Sequence, residues 1–492
     1  MTDLNDLKLL VRAHTAIIVI ESNEEKRAIS LCKALAEEEG TPVSKWSVTT
    51  GLQRLERGFL PQKFNTEPGE VLSHIKASDN PGIYLLLDFH PYLETPLHIR
   101  LIREIAQNNK GARRHLIFLS PQFEIPRELS QLAVKYQLAL PNQKKILEII
   151  KKVALEYTQL HPGRKVIADR KAVQLLSRNL MGLTSSDVER LARNAIFDDG
   201  AITSSDIKRV MEAKYELISQ NGVLAFEYET AAFGDVGGLK GLKQWLQHRK
   251  MVFHGGGRQY GLDAPKGVML LGVQGCGKSL AAKAVAGVWG VPLLRLDFGA
   301  LYNKFMGETE RNLRESLKTA EVMAPCVLWV DEIEKGLSSG SSDDGVSRRV
   351  LGTLLTWMAE KSKPVFIVAT ANDVTSLPPE LLRKGRFDEL FFVDLPDLPT
   401  RQEIFKIQLA KRKLDPSSFN LQVLSKVSQG FSGSEIEQAV VASLYSAMAS
   451  GRPVSTRHMV DEIKKTRPLS VLMSEKVESL RSWARERTVP AN

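Results

Sequence analysis

A glycine-rich loop between an apolar run and a helix-forming run limits the fold of this 492-residue chain more than any other feature. The apolar run Val-Met-Leu-Leu occupies residues 268–271, the loop Gly-Val-Gln-Gly-Cys-Gly-Lys-Ser occupies 272–279, and Leu-Ala-Ala-Lys-Ala-Val-Ala follows at 280–286. Glycines let the backbone curl so that its N–H groups point at phosphate oxygens, and the following helix adds the positive end of its dipole. The GxxxxGK[ST] pattern therefore predicts an α/β fold with a phosphate-binding loop.

This loop supplies the first candidate site residues. We expect Lys278 to reach the β- and γ-phosphates of a nucleotide and the Ser279 hydroxyl to ligate Mg²⁺. The residues expected to contact the nucleotide here are Gly272, Val273, Gln274, Gly275, Cys276, Gly277, Lys278, Ser279 and Leu280. Because a strand and a helix flank the loop as the motif requires, a chance match explains the pattern poorly.

Two further apolar runs end in polar residues that should share one edge of a parallel sheet. Asp331 and Glu332 follow the run at 327–330, and Asn372 ends the run at 365–372. The carboxyl ends of the strands are where open α/β sheets bind ligands. We expect Asp331 to hold Mg²⁺ through water, Glu332 to orient and activate the attacking water, and Asn372 to hydrogen-bond the γ-phosphate or that water. In isolation, the carboxylates would indicate only a solvated strand end and the asparagine only a turn.

Arg383 and Arg386 flank a glycine turn in the segment 381–388. Planar guanidinium groups suit the charge that spreads over phosphate oxygens during phosphoryl transfer. The two arginines are therefore candidate arginine fingers, and the alternative is ordinary surface charge.

The two halves of the chain repeat one order of elements at an offset of 250 residues. Lys-Ala-Leu-Ala at 33–36 corresponds to Lys-Ala-Val-Ala at 283–286, and the apolar run at 115–122 corresponds to that at 365–372. Such self-similarity indicates a duplicated structural unit. We predict an α/β unit followed by a small helical unit, twice.

The first copy keeps this outline and lacks the phosphate-binding groups. Ala28 stands in the place of Lys278 at this offset, and aligning the apolar runs that end at Asp88 and Asp331 puts these two residues opposite each other, so that Phe89 replaces Glu332. We predict that the first copy has the α/β fold and does not hydrolyse a nucleotide. A degenerate copy of this kind could still provide contacts to other subunits or to partners.

Composition limits the class of protein. The formal charge of +10 and the pI near 9.3 would suit an anionic partner, although a solvated surface rich in lysine and arginine gives the same values. Three cysteines without a CxxC pair fit a reducing compartment. No apolar run approaches the roughly 20 residues of a membrane span, and the first residues carry no signal-peptide pattern. We predict a cytoplasmic or stromal protein without a transmembrane segment.

The motifs in this order resemble the classical clade of AAA ATPases. The resemblance runs from about residue 233 to 467, and the motifs that carry it, besides the loop and the Asp-Glu pair, are Phe-Gly-Asp-Val-Gly-Gly-Leu at 233–239, Thr-Ala-Asn at 370–372, Leu-Leu-Arg-Lys-Gly-Arg-Phe-Asp-Glu at 381–389 and Gly-Phe-Ser-Gly-Ser-Glu-Ile at 430–436. The layout of the whole chain resembles a cyanobacterial and algal-plastid branch of this family.

The resemblance implies ATP and Mg²⁺ as ligands and a homo-oligomeric ring, expected to be a hexamer. Arg383 and Arg386 of one subunit would then complete the site of its neighbour. The residues placed beside the adenine are Asp235, Val236 and Gly237, with Gly433 from a helical lid. The segment Lys304, Phe305 and Met306 matches a pore loop that grips substrate in the central channel, and the alternative for Phe305 is an ordinary core aromatic.

Cys276 departs from the small or hydroxyl residue that the resembling family usually has beside the last loop glycine. A thiol near a helix N-terminus and a lysine can have a lowered pKa, which suggests the hypothesis that oxidation controls ATP binding. A neutral substitution is the alternative.

The resulting prediction is a tandem of AAA-type modules, each a parallel-sheet α/β domain with a small helical lid. Its parts are a degenerate AAA-like domain at 1–218, a linker at 219–232, an ATPase domain at 233–396, a helical lid at 397–468 and a basic helix or tail at 469–492.

The expected function is Mg²⁺-dependent ATP hydrolysis that remodels or translocates a macromolecule, expected to be a polypeptide, in a photosynthesis-related pathway of the cytoplasm or plastid stroma. Basic runs such as Arg113-Arg114 and residues 481–487 keep a nucleic-acid-dependent ATPase open as an alternative. A regulatory switch that changes partners on binding ATP is another. No HExxH motif occurs, so a zinc-protease activity is not expected.

Overall fold

A computed structural model of the chain describes residues 2–55, 64–109, 113–218, 223–228, 230–298, 301, 309–337 and 344–492. These residues form two compact units, one made of Met1–Lys145 with Leu183–Arg190 and the other of Ile146–Gly182 with Leu191–Asn492. Within the described part of the chain, none of the helices combines the length and the apolar character needed to span a bilayer.

The first unit is built around a mainly parallel sheet. Its elements are α1 (Thr2–Arg12), β1 (Ile17–Glu21), α2 (Glu25–Glu39), β2 (Val43–Ser47), β3 (Gly51–Arg54), α3 (Pro68–Ala77), β4 (Gly82–Leu87), α4 (Pro96–Gln107), β5 (Arg114–Ser120) and β6 (Ala133–Tyr136). The strand order is β3-β2-β4-β5-β1-β6. The β2–β3 pairing is antiparallel, and the other pairings in this sheet are parallel.

Helices cover both faces of this first sheet. Ile17 and Val19 pack in one cluster with residues of α3 and α4, whereas Ile18 and Ile20 pack in another with residues of α1 and α2. Because successive residues of each central strand are buried on opposite faces, these strands are continuous apolar runs. That property made them recognisable in the sequence.

After the first sheet the chain forms a helical segment, most of which belongs to the second unit, and then the second sheet. The elements of the helical segment are α5 (Gln143–Leu160), β7 (Ile167–Ala168), α6 (Arg170–Asn179), α7 (Ser185–Asp199), β8 (Ala201–Ile202) and α8 (Ser204–Ile218). Those of the sheet and its helices are β9 (Leu224–Glu227), α9 (Lys240–Met251), β10 (Gly267–Gly272), α10 (Lys278–Trp289), β11 (Leu293–Leu296), α11 (Thr309–Val322), β12 (Cys326–Val330), α12 (Ile333–Leu337), α13 (Asp344–Glu360), β13 (Val365–Ala371) and β14 (Glu389–Val393).

The chain then forms a helical lid and returns to the sheet. These elements are α14 (Leu398–Lys411), α15 (Leu421–Val427), α16 (Gly433–Ala449), α17 (Thr456–Lys465), α18 (Leu469–Leu472), α19 (Ser474–Ala484) and β15 (Val489–Pro490). The strand order of the second sheet is β15-β14-β10-β13-β12-β11-β9, and only its β11–β9 pairing is antiparallel among the described pairs. The lid helices α14 to α17 enclose an apolar cluster of their own.

The predicted fold class is confirmed, since both halves contain a parallel-sheet α/β module. In the second sheet β10 lies between β13 and β14, so the glycine-rich loop begins at the centre of the carboxyl edge. The polar residues after β12 and β13 lie at that same edge. One element was not anticipated, because the segment predicted as a basic helix or tail contributes the strand β15 to the sheet.

Candidate active site

The glycine-rich loop connects β10 to α10 with the conformation that its glycines allow. Gly275 and Gly277 have φ angles of 78° and 93°, a region that side chains with a Cβ atom rarely occupy. A Cβ atom on Gly275 would lie 2.3 Å from the Ser434 hydroxyl oxygen at the start of α16. The lid therefore packs directly on the loop, and a glycine is required at that contact.

Lys278 presents a buried ammonium group to the loop. Its side chain donates hydrogen bonds to the carbonyl oxygens of Gly272 and Val273, both at 2.8 Å, and the residue is only 6% exposed. Burial lowers the pKa of Lys278 to about 8. In the described part of the chain no carboxylate forms an ion pair with this ammonium group. A buried cation that forms no ion pair with the residues the structure describes, inside a curled glycine loop, fits a nucleotide phosphate.

Ser279 and Asp331 meet at the carboxyl edge, as predicted for a magnesium site. The Ser279 hydroxyl donates to Asp331 Oδ1 at 3.5 Å, and the Thr370 hydroxyl donates to the same oxygen at 2.6 Å. Mg²⁺ commonly uses one or two protein oxygens together with water and substrate phosphates. The two predicted ligands fit that requirement. Thr370 was missed because a lone threonine inside an apolar run has no distinctive sequence signal.

Glu332 is held by its neighbours in a position next to Asp331. Its backbone adopts a left-handed φ of 48°, and its N–H donates to the Thr370 hydroxyl at 3.0 Å. Asn372 Nδ2 donates to Glu332 Oε1 at 3.0 Å, and Lys335 forms an ion pair with Oε2. The structure thus brings together Glu332 and Asn372, the two residues predicted to act on the attacking water.

Glu334 is a second residue that sequence reasoning missed. Its Oε1 accepts a hydrogen bond from the backbone N–H of Asn372 at 2.9 Å, and desolvation raises the pKa of this buried carboxyl group. Glu334 therefore fixes the backbone from which the Asn372 side chain reaches Glu332. Its place in the helical turn after Asp-Glu was visible in the sequence, but its partner was not.

The predicted adenine segment lies beside the lid. Gly238 N–H donates to Glu403 Oε2 of α14 at 2.9 Å, and a Cβ atom on Gly237 would lie 2.7 Å from Ile404. In addition, Ser434 N–H donates to the Gly275 carbonyl oxygen at 3.0 Å. The lid thus contacts both the segment placed beside the adenine and the phosphate-binding loop. Asp235, Val236 and Gly433, which were also assigned to the nucleotide, lie in these same two segments.

Arg383 and Arg386 do not join the loop of their own chain. Arg383 is exposed, and Arg386 donates to the carbonyl oxygen of Leu355 in α13. No hydrogen bond or ion pair links either arginine to residues 272–279 within the described chain. Their assignment as fingers that act on a neighbouring subunit stays a prediction.

The pore-loop assignment lies outside the described residues. Lys304, Phe305 and Met306 all fall in the segment 302–308. Their proposed contact with substrate therefore stays a prediction from the resemblance alone.

The pKa of the Cys276 thiol is raised, which contradicts the lowering on which the redox hypothesis depends and agrees with the alternative of a neutral substitution. The residue is half-buried, and desolvation by the surrounding atoms raises the pKa of its thiol to about 12, an effect larger than the opposing influence of Lys278. The argument from the helix N-terminus and the lysine considered only the charges near the sulfur. It omitted the loss of solvent around the thiol.

We therefore expect that Cys276 does not make the ATPase rate sensitive to oxidation. At pH 8 a thiol with this pKa is ionised in only about one molecule in ten thousand, and the thiolate is the reactive form. Steady-state ATPase rates of the wild type and Cys276→Ser should respond equally to hydrogen peroxide. A loss of activity that occurs only in the wild type would show that the thiol is reactive after all.

The register of the two sheets corrects the sequence alignment of the two modules. The Leu116 N–H donates to the carbonyl oxygen of Ala16 in the first module, and the Ile367 N–H donates to that of Lys266 in the second. Ala16 and Lys266 are 250 positions apart, whereas Leu116 and Ile367 are 251 apart. The fixed offset therefore fails by one residue between the first strand and the strand beside it.

This one-residue shift changes which residue of the second module corresponds to Asp88. Asp88 has a left-handed φ of 48°, as Glu332 has, and each follows the corresponding strand as its turn residue. Asp88 thus corresponds to Glu332, and Leu87 corresponds to Asp331. The alignment of Asp88 with Asp331 was wrong, but its consequence is similar, because an apolar side chain stands where a magnesium ligand is needed.

The first module also replaces the phosphate-binding curl by helix. Helix α2 begins at Glu25, so that Glu25 and Arg27, which stand in the places of Gly275 and Gly277, are helical. The Glu24 carboxylate accepts a hydrogen bond from Ser185 N–H at 2.7 Å and pairs with Arg27 at 2.7 Å. A carboxylate therefore occupies the N-terminus of α7, where the second module has the loop carbonyl of Gly275.

Three family models match the chain. The ATPase family associated with various cellular activities (AAA) matches residues 268–395, and the N-terminal and second domains of SpoVK-like AAA ATPases match residues 3–138 and 144–221.

Similar proteins cover nearly the whole chain. The AAA domain-containing protein ycf46 of Pyropia yezoensis is 37% identical over 492 residues, covering 98% of each protein. The protein of the same name in Guillardia theta is 35% identical over 492 residues, covering 98% of this chain and 95% of that protein. The proteasome-activating nucleotidase of Saccharolobus islandicus is 38% identical over 218 residues, covering 42% of this chain and 54% of that protein. The chain therefore belongs to the family of AAA ATPases that the ycf46 proteins represent, and it is an ATP-hydrolysing enzyme.

Proposed function

We propose that this AAA ATPase assembles into a ring, most simply a hexamer, and uses Mg²⁺-dependent ATP hydrolysis to remodel polypeptides. The observation that carries the proposal is the arrangement at the carboxyl edge of the second sheet. One buried ammonium group, one pair of candidate magnesium ligands and one carboxylate held by an asparagine lie along that edge. Phosphoryl transfer needs these parts in one place, because its catalysis is mostly positioning and charge stabilisation.

The residues divide the work of hydrolysis. Lys278 and the loop N–H groups bind the phosphates, and Ser279 and Asp331 would hold Mg²⁺, which supplies positive charge next to those phosphates. Glu332 accepts a proton from the attacking water, whose oxygen forms a bond to the γ-phosphorus as the bond to the ADP oxygen breaks. Asn372 keeps the Glu332 carboxylate oriented for this transfer.

Oligomerisation is supported by what the site lacks. An arginine finger stabilises the charge of the transferring phosphoryl group. Arg383 is exposed, and neither it nor Arg386 contacts the loop of its own chain among the described residues. In the proposed ring, these two side chains act on the site of the adjacent subunit, and each site is incomplete in a single chain.

A polypeptide substrate is supported by similarity to a proteasome-activating nucleotidase over 42% of this chain. The ycf46 relatives in Pyropia yezoensis and Guillardia theta support action in the cytoplasm or the plastid stroma. We propose a photosynthesis-related pathway as the setting of this activity. Lys304, Phe305 and Met306 are the residues assigned to contact the substrate in the channel.

Steady-state ATPase activity should rise severalfold with an unfolded polypeptide. The added substrates to compare are a reduced and alkylated test protein, the same test protein in its folded form, single-stranded DNA and RNA. The Glu332→Gln variant of the ATPase gives the background rate. Mass determination in ATP should give six chains. Stimulation by nucleic acid that weakens steeply with salt would instead indicate a nucleic-acid-dependent ATPase. A monomer with full activity would contradict the ring and its fingers.

A further inference from the structure

Residues 489–492, which we call the strap, run between the edge of the ATPase sheet and the beginning of α9. β15 pairs in parallel with β14, with Val489 opposite Phe391 and Pro490 opposite Phe392. Ala491 is only 1% exposed and lies in the same apolar cluster as residues of β10, α9 and α10. The strap is therefore part of the folded ATPase module.

On its sheet side, the strap is one strand away from the phosphate-binding loop. Ala491 N–H donates to the carbonyl oxygen of Phe392 at 3.0 Å, and β14 in turn pairs with β10. The Val273 N–H, inside the loop, donates to the Val393 carbonyl oxygen at 3.2 Å. The strand that the strap extends thus directly supports the loop.

On its other side, the strap caps a helix that lacks a cap of its own. The N-cap residue of α9 is Leu239, which has no polar side chain and a left-handed φ of 54°. The first N–H groups of a helix have no partners within the helix. Leu239 N–H donates to Asn492 Oδ1, and Leu242 N–H donates to the Ala491 carbonyl oxygen at 3.1 Å. Leu242 N–H is the donor that a serine or aspartate at the N-cap would normally satisfy, and both it and the N–H of the N-cap residue are bound by residues about 250 positions away.

A third contact anchors the chain that leads into the strap. The Arg481 guanidinium in α19 donates to both carboxylate oxygens of Asp394, at 2.9 to 3.0 Å. Asp394 directly follows Val393, whose carbonyl oxygen supports the loop. Bidentate pairing fixes geometry more strictly than a single ion pair does.

We propose that the strap is a positioning element for the nucleotide, because it holds the segment Asp235–Leu239 in a fixed place relative to the phosphate-binding loop. The inference rests on the proposed role of Asp235, Val236 and Gly237 beside the adenine. It assigns to Asn492 and Arg481, neither of which belongs to a sequence motif of the site, an effect on nucleotide affinity. Among the described residues neither Asn492 nor Arg481 forms a hydrogen bond with the loop 272–279, with Asp331 or with Glu332, so the chemical step should not depend on them.

Asn492→Ala should weaken ADP binding about fivefold, which corresponds to about 1 kcal/mol, the usual net contribution of one hydrogen bond. KM for ATP should rise in parallel, and kcat at saturating ATP should stay within about twofold of wild type. Asn492→Asp keeps the acceptor oxygen and places a negative charge at a helix N-terminus, so it should restore the affinity. Arg481→Met should act in the same direction as Asn492→Ala. Arg485→Met removes an exposed charge at the end of α19, the helix that carries Arg481, and serves as the matched control for Arg481→Met.

Amide hydrogen exchange separates a positioning role from a purely structural one. In Asn492→Ala, faster exchange at Leu239 and Leu242 together with weaker ADP binding would support the proposal. Faster exchange with unchanged ADP affinity would overturn it, as would unchanged exchange and affinity. A fall in kcat without a change in KM would also overturn it. If the wild type itself neither bound ADP nor hydrolysed ATP, the proposed function would fail, whereas a functional wild type with unaffected variants refutes the strap alone.

Discussion

Glu332→Gln is expected to lower kcat about 10²- to 10⁴-fold, the usual contribution of a general base, while ADP affinity stays within about threefold. Glutamine has the same shape, so its side-chain oxygen can still accept the hydrogen bond that Asn372 Nδ2 donates at 3.0 Å. It cannot take a proton from water at neutral pH. Steady-state kinetics and ADP titration of the same preparation measure the two effects.

Glu360→Gln provides the control for this substitution, since Glu360 is an exposed residue at the end of α13 with the same change of charge. It should keep the wild-type rate. A loss of less than tenfold in Glu332→Gln would mean that another group activates the water. An equal loss of ADP affinity would mean that Glu332 acts in binding or in the fold of the site.

Local spacing explains why much of the site could be predicted. Lys278, Ser279, Asp331 and Glu332 are all within a few residues of a strand end, and parallel strands bring such ends to one edge. The pattern therefore determined both the identity of these residues and their proximity. Asn372 could be placed by the same argument, because its strand is as apolar as the others.

The residues that were missed depend on contacts between distant parts of the chain. Thr370 and Glu334 act through hydrogen bonds to Asp331 and to the Asn372 backbone, and neither residue type is distinctive by itself. The contact between Asn492 and Leu239 spans 253 positions, and periodicity in a local window contains no information on such a pair. The error at Cys276 has another origin, because desolvation depends on packing density and a sequence motif shows only neighbouring charges.

The alignment of the two modules shows a further limit. A constant offset describes each strand–loop–helix segment well, since Gly40 and Gly290 both end the corresponding helices in the left-handed conformation. It does not describe how neighbouring strands pair, which is a property of the sheet. When the alignment is corrected by one residue, Asp88 corresponds to Glu332 and no longer to Asp331.

Lys278→Met is expected to remove tight nucleotide binding from the whole chain. Methionine keeps a buried apolar stem of similar length and removes the ammonium group. We expect ADP affinity to fall at least about 100-fold, since two hydrogen bonds from the ammonium group to phosphate oxygens of the nucleotide would contribute about 1.5–3 kcal/mol each. Isothermal titration of the wild type should give one nucleotide per chain, and that of the variant should give none.

The variant should not be less stable than the wild type in the absence of nucleotide. Burial lowers the pKa of Lys278 to about 8, so below that pH the folded protein holds a charged group that is better solvated when unfolded. The unfolded chain binds more protons between about pH 8 and the unperturbed lysine pKa of about 10.4, and the stability of the wild type relative to the variant therefore rises with pH in that window. Thermal unfolding at pH 7 should show an unchanged or higher Tm for the variant, and ADP should no longer raise it.

A stoichiometry of one rests on the degenerate first module. Helix α2 leaves no curled loop there, and the Glu24 carboxylate already occupies the Ser185 N–H group at the start of α7. A phosphate at that place would have to displace a carboxylate of the same sign from its Arg27 partner. If the wild type and Lys278→Met each bound one nucleotide per chain, either the first module would be the binding site or Lys278 would not be needed for binding, and this reasoning would be wrong. If the wild type bound two and the variant one, both modules would bind, and only the assignment of Lys278 would stand.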